Sequence, residues 1–128
     1  MSASDIKEWL KLAEHDIDTA DLLIKEKGHA DIIVYHLHQA TEKLLKSLLI
    51  KQGKQPQKIH FLDKLLGEVI EEVSALEEVK DEILELNLYL PKLRYPSGDE
   101  ITFEEAKDLF SKFTKIKDSL LKTINIPL

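Results

Sequence analysis

The sequence predicts an all-α protein, an up-and-down bundle of four to five antiparallel helices. Three observations carry this. Apolar residues recur at i, i+3, i+4 and i+7 almost throughout the chain. Nowhere does a β-branched alternating run stand between hairpin signals. The breaks between periodic stretches are short, and short connections make neighbouring helices antiparallel. With 128 residues, 43% of them hydrophobic, the chain fits one domain spanning 1–128.

The first helix is expected over residues 4–27. Ile6, Trp9, Leu10, Ala13, Ile17, Ala20 and Ile24 share one face. Asp5 and Glu8 have the spacing of a capping box, and Gly28 stands where a helix would stop. The second helix runs over 30–52. Its apolar positions Ile33, Val34, Leu37, Thr41, Leu44, Leu45 and Leu48 fill a wide arc, which suggests a central helix with several neighbours. The opposite strip holds His36, Gln39, Lys43 and Lys54, and Glu42 precedes Lys46 by four residues, the favourable order for an ion pair. Gly53 and Pro56 end this helix.

A third helix begins near His60, with Phe61, Leu62, Leu65, Leu66, Val69, Ile70 and Val73 repeating as a helix face. Gly67 inside it costs about 1 kcal/mol against Ala, and close packing against a neighbour is the simplest reason for it. Ser74 and Glu77 repeat the capping-box spacing, so a fourth helix is expected over 75–90. Residues 91–99 read as the one true loop, since two prolines and a glycine oppose a continuing helix. Thr102 and Glu105 cap the last helix, whose core stripe is Phe103, Ala106, Phe110, Phe113, Leu120 and Ile124.

Composition excludes several chemistries. There is no cysteine, so disulfides, thiolate metal sites and thiol nucleophiles are absent together. No apolar run approaches the roughly 20 residues that span a bilayer, and the start of the chain has no signal-peptide pattern. A cytoplasmic protein without membrane contact is expected. The net charge of −6 arises wholly after residue 58, and residues 68–85 hold eight acids against Lys80. A broad nucleic-acid grip would want the opposite sign. Six lysines between residues 43 and 64 leave room for a local basic patch.

No metal or cofactor is expected. His36 and His38 stand about 200° apart on a helix and cannot chelate one ion together. His29 and His36 share a face, two turns and about 10 Å apart. Ordinary surface or rim positions account for the histidines. No phosphate-cradling glycine pattern or nucleophile elbow occurs. One position is distinctive: Arg94 is the sole arginine, next to Tyr95 in the Pro-rich loop. A guanidinium fork suits phosphate or carboxylate, and a tyrosine ring offers a stacking face. The alternative is a structural salt bridge from Arg94 to Asp16.

Four blocks, taken in order, resemble the HEPN domain family of small helical bacterial and archaeal proteins. They are Trp9-x3-Ala13-x2-Asp16-Ile17-x2-Ala20; residues 35–46, containing Gln39-Ala40-x-Glu42-Lys43-x-x-Lys46; His60-x-Leu62-x2-Leu65; and Arg94-Tyr95-Pro96. The resemblance implies a bundle of about five helices, similar to the C-terminal helical domain of kanamycin nucleotidyltransferase. It also implies a homodimer that partners a minimal nucleotidyltransferase in a toxin–antitoxin-like module and binds nucleotide or RNA. The wide apolar surface of the second and last helices independently suggests a homodimer. Arg94, Tyr95, Lys43, Gln39 and His60 are the candidate ligand-binding residues. Many HEPN proteins are metal-independent ribonucleases with an Arg-x4-6-His motif, but here every histidine precedes Arg94. The general acid or base is missing at that spacing, so binding without cleavage is expected of the isolated protein. The alternative is a ribonuclease with a non-standard site that pairs Arg94 with His60 or His36.

Overall fold

The computed structural model describes residues 3–55, 61–70, 73–94 and 100–125, with Ala3, Ser4 and Arg94 described in backbone only. The described residues form helices α1 (Ala3–Lys25), α2 (Ala30–Lys51), α3 (Leu62–Ile70), α4 (Lys80–Asn87), α5 (Leu90–Arg94) and α6 (Phe103–Ile124), with a 3-10 turn of helix at Ser74–Val79. No strand occurs among them.

The wide apolar arc of α2 has the expected consequence. This helix packs against α1, α3, α4, α5 and α6, and Ile33, Val34, Leu37, Leu44, Leu45, Leu48 and Leu49 are all buried. Its amphipathic neighbours each bury one stripe against it. On α1 the stripe is Ile6, Leu10, Ala13 and Ala20; on α6 it is Ala106, Leu109, Phe113, Ile116, Leu120 and Ile124. Phe103 and Phe110 pack only at its margin. Lys51 at the end of α2 donates to the carbonyls of Thr123 and Ile124 at 3.2 and 2.5 Å. It thereby satisfies acceptors that the last turn of a helix leaves open. α2 and α6 therefore finish at the same end of the molecule.

Helix termini depart from expectation in instructive ways. α1 starts at Ala3, which places Asp5 inside the first turn rather than at the cap. At its far end the Gly28 amide donates to the Leu23 carbonyl at 2.7 Å and the Lys27 amide to that of Ile24 at 3.3 Å. This is a Schellman closure in which Lys27, at φ 54°, takes the left-handed position. Gly28 serves a different need, because a Cβ there would lie 2.6 Å from Leu23 Cδ2. α2 ends in the same closure with Gly53, φ +79°, in the left-handed position. Ser74 does not cap a helix. The chain makes 3-10 turns over Ser74–Val79, with Val73 at the N-cap, before α4 begins at Lys80. Pro91 does not open a loop either: it sits in the first turn of α5, where a missing N–H costs nothing. The capping box at Thr102 is as expected, with Glu105 N to Thr102 Oγ1 at 3.0 Å and Thr102 N to Glu105 Oε1 at 3.2 Å.

Gly67 is exposed, and a Cβ added there would meet nothing within 4 Å. Close packing is therefore not its reason. Gly67→Ala is expected to stabilise the protein by about 1 kcal/mol, read as a rise of roughly 3 °C in melting temperature. A fall would mean that this position does not stay helical in solution.

A candidate polar site on the α1–α2 seam

The first two motif blocks, some twenty residues apart in the chain, meet in space. Ala13 and Ala20 on α1 and Ala40 on α2 are buried, and such small side chains let the two helices approach closely. Asp16 lies on the α1 surface one turn from each alanine, at the edge of the apolar stripe. It faces α2 and is 7% exposed. Its Oδ1 accepts from His36 Nδ1 at 2.8 Å and its Oδ2 from Lys43 Nζ at 2.5 Å. The His36 and Lys43 side chains keep 23% and 20% exposure against 10% for the Asp16 side chain. The acid therefore lies beneath, with its two donors above it toward solvent.

One turn further along α2, Lys46 donates to Glu42 at 3.2 Å, with side chains only 6% and 5% exposed. The Lys46 ammonium also sits 5.5 Å from the centroid of the Trp9 ring, a cation–π contact inside a water-poor seam. The strip of α2 holding His36, Gln39 and Lys43 thus runs along α1 instead of facing solvent. Gln39 is half-buried between the other two, and its amide bonds to no described residue. Tyr35 is 44% exposed and meets the His36 ring edge-on, centroids 5.3 Å apart. Leu12, four residues before Asp16 on α1, and Ile32, four before His36 on α2, are both exposed.

The five expected site residues divide accordingly. Lys43 and Gln39 are brought together on this seam. His60 and Tyr95 lie outside the described residues, as does the Arg94 side chain. The alternative of a salt bridge from Arg94 to Asp16 falls on a side chain outside the described residues; among the described residues Asp16 is held by His36 and Lys43. His38 is no rim histidine: it is 1% exposed. Lys54 belongs to no helical strip, because it follows the turn at Gly53 and reaches the Glu68 carbonyl at 2.8 Å. Asp16 and His36 are absent from the expected ligand-binding set: Asp16 enters the sequence reading as a structural partner for Arg94, and His36 in the ribonuclease alternative. The signal for Asp16 was an acid set at i+3 from Ala13 and i−4 from Ala20, inside an apolar stripe.

A second polar tie holds the turn before α5, at Tyr89, against α6. The Tyr89 hydroxyl donates to Glu105 Oε2 at 2.8 Å. Burial, followed by that bond to a carboxylate, pushes the Tyr89 phenol up to about 12. The Thr102 backbone and the Tyr89 hydroxyl hold the Glu105 carboxyl below its usual range. Lys112, gripped by Glu85 through both oxygens at 2.9 Å, stays protonated well above the ordinary lysine range. Because the folded tyrosine titrates above the unfolded one, its contribution to stability is complete below pH 10. That contribution is lost as pH rises from about 10 to 12. Ultraviolet titration should show one phenol ionising near pH 12, and Tyr89→Phe should remove that transition while leaving the others in place.

Among the described residues no group of His, Asp and Glu is placed to hold a metal ion. No helix there is long and apolar enough to cross a membrane. An open cavity of about 690 Å³ between the 3-10 helix and the end of α6 is lined by Val73, Val79, Lys115 and Ser119, among others.

Residues 6–123 match the HEPN domain family, more than nine-tenths of the chain. This protein belongs to the HEPN domain family. It is 30% identical over 119 residues to the "Putative toxin MJ1304" of Methanocaldococcus jannaschii, covering 85% of this chain and 73% of that one. Among solved structures it is similar to TT1696 from Thermus thermophilus, with a TM-score of 0.78 and 23% identity over 91% of this chain and 96% of that one. It is also similar to ST0689, described as an archaeal HEPN homologue, with a TM-score of 0.71 and 19% identity over 93% and 97% of the two chains. Those two structures establish the HEPN fold. Within it, the seam of Asp16, His36, Lys43, Glu42, Lys46 and Trp9 is where this chain's first two motif blocks converge.

Proposed function

We propose that this HEPN protein is the toxin-like member of a toxin–antitoxin-like module, a cytoplasmic homodimer of single-domain chains that binds nucleotide or RNA beside a minimal nucleotidyltransferase. The observation that carries the reading is the α1–α2 seam. Lys43 offers an ammonium to phosphate, Gln39 offers a base edge an amide that bonds to no described residue, and Tyr35 offers an exposed ring for stacking. The likeness to a relative named as a toxin supports the module. Exposed Leu12, Ile32 and Tyr35 around the seam supply apolar surface for a second copy. The reading keeps Arg94, Tyr95 and His60, whose side chains lie outside the described residues, as further ligand-binding residues.

The test is induced expression in a bacterial host, with and without a co-expressed minimal nucleotidyltransferase. Growth arrest relieved by the nucleotidyltransferase, and weakened by Lys43→Met in a folded protein, is the expected result. Unimpaired growth with abundant folded protein would refute the toxin reading. Light scattering should give twice 14.7 kDa, and a monomeric mass would refute the dimer. One observation favours the ribonuclease alternative. Asp16 fixes the His36 ring, and an imidazole held by a carboxylate is a competent proton-transfer group. RNA cleavage that survives EDTA and is lost in His36→Ala would establish it.

A further inference from the structure

We infer that the α1–α2 seam is a proton-coupled phosphate receptor, in which an anion binds more tightly when His36 takes up a proton at Nε2. This rests on the nucleotide- or RNA-binding reading above and adds its regulation. The argument starts from hydrogen-bond capacity. An ionised carboxylate is acceptor-only, so the bond between Asp16 Oδ1 and His36 Nδ1 places the ring proton on Nδ1. In the neutral ring Nε2 is then a bare lone pair. No described residue donates to it, and the side chain keeps 23% exposure.

A phosphate oxygen is also acceptor-only. Two acceptors repel, so the neutral seam presents an anion with one favourable partner, Lys43, and one unfavourable one. Protonation converts Nε2 into a donor without disturbing Nδ1 or Asp16. Lys43 has three N–H donors and commits one to Asp16. A phosphate can then bridge Nε2 of His36 and Nζ of Lys43 from the solvent side. Asp16 stays below as the shared counter-ion that draws the two side chains together across two helical turns.

The surroundings keep the coupling on one group. Among the described residues, the charged groups facing the His36 ring are Asp16 from α1 and Lys43 from α2, with the Tyr35 ring edge-on. The Glu42–Lys46 pair lies a turn beyond Lys43 and is already matched in charge. The side-chain bonds α2 makes to α3 and α6 lie at its far end, at Gln52 and Lys51. At neutral imidazole the Asp16–His36–Lys43 cluster carries no net charge, and with imidazolium it carries one positive charge, in a chain whose net charge is −6.

The test is calorimetric titration of the full chain with an RNA hexamer bearing hydroxyl ends, whose diester charge is constant between pH 6 and 8. Binding is expected to be roughly tenfold tighter at pH 6 than at pH 8, with about one proton taken up per site when buffers of different ionisation heat are compared. His36→Asn should flatten the profile at the weaker affinity. Lys43→Met should weaken binding at both pH values and keep the slope. Circular dichroism at both pH values keeps folding separate from binding. Equal affinity at pH 6 and 8, or a slope that survives in His36→Asn, would overturn the coupling and leave the binding reading standing. A hexamer that binds at neither pH would overturn the binding reading itself, and the coupling with it.

Discussion

Glu42→Ala is expected to cost about 3–5 kcal/mol, because it leaves an ammonium buried without its counter-charge. Lys46 is 6% exposed in its side chain and is held by Glu42 at 3.2 Å and by the face of Trp9. A ring quadrupole contributes only about 0.5–2 kcal/mol, too little to replace a carboxylate. The pair itself need not stabilise the fold over an apolar substitute. Replacing both partners by Met should restore stability to within about 2 kcal/mol of wild type, since desolvation of the two ions is removed with their attraction. Urea unfolding of the single and double variants measures this. A single variant that loses less than about 1 kcal/mol would mean that the pair is open to water in solution.

Phe113→Ala should be comparably severe, at about 3–5 kcal/mol, out of a total stability on the order of 5–15. Phe113 is 1% exposed and is the largest fully buried side chain. It sits midway along α6, on the stripe that covers α2. Removing it leaves a cavity against the helix that carries His36, Gln39 and Lys43. Thermal unfolding is the measure, and Phe113→Leu, which keeps most of the volume, should lose less than half as much. A mild Phe113→Ala would mean that α6 is not fixed on α2 as described.

The sequence made the helices legible because each buries one stripe, and a stripe is a local property. α1, α2 and α6 are located to within about two residues for that reason. The capping box at Thr102 was equally readable, since four consecutive residues contain both of its bonds. Ser74 and Glu77 carry the same spacing without the cap, because tertiary packing winds that segment into 3-10 turns first. Pro91 misled for another reason: a proline that ends one helix is equally suited to begin the next.

The candidate site was half legible. Lys43 and Gln39 stand out as polar residues on a helix face, but their partner lies on another helix. Asp16 becomes significant only once α1 and α2 pack with this offset, which no local pattern states. His38 shows the same limit from the other side. Its ring is buried because α2 packs against several helices at once, a property of the assembled bundle.

The contact between Trp9 and Lys46 has a practical consequence. Trp9 is the sole tryptophan, and its half-buried ring lies beside a fixed positive charge one helical turn from Lys43. Indole emission shifts with local charge and solvent access. The chain therefore carries one native fluorophore, placed on the seam where its first two motif blocks meet. Ligand arrival, loss of the buried ion pair and separation of α1 from α2 would each change its spectrum, with no label attached and no second tryptophan to blur the signal.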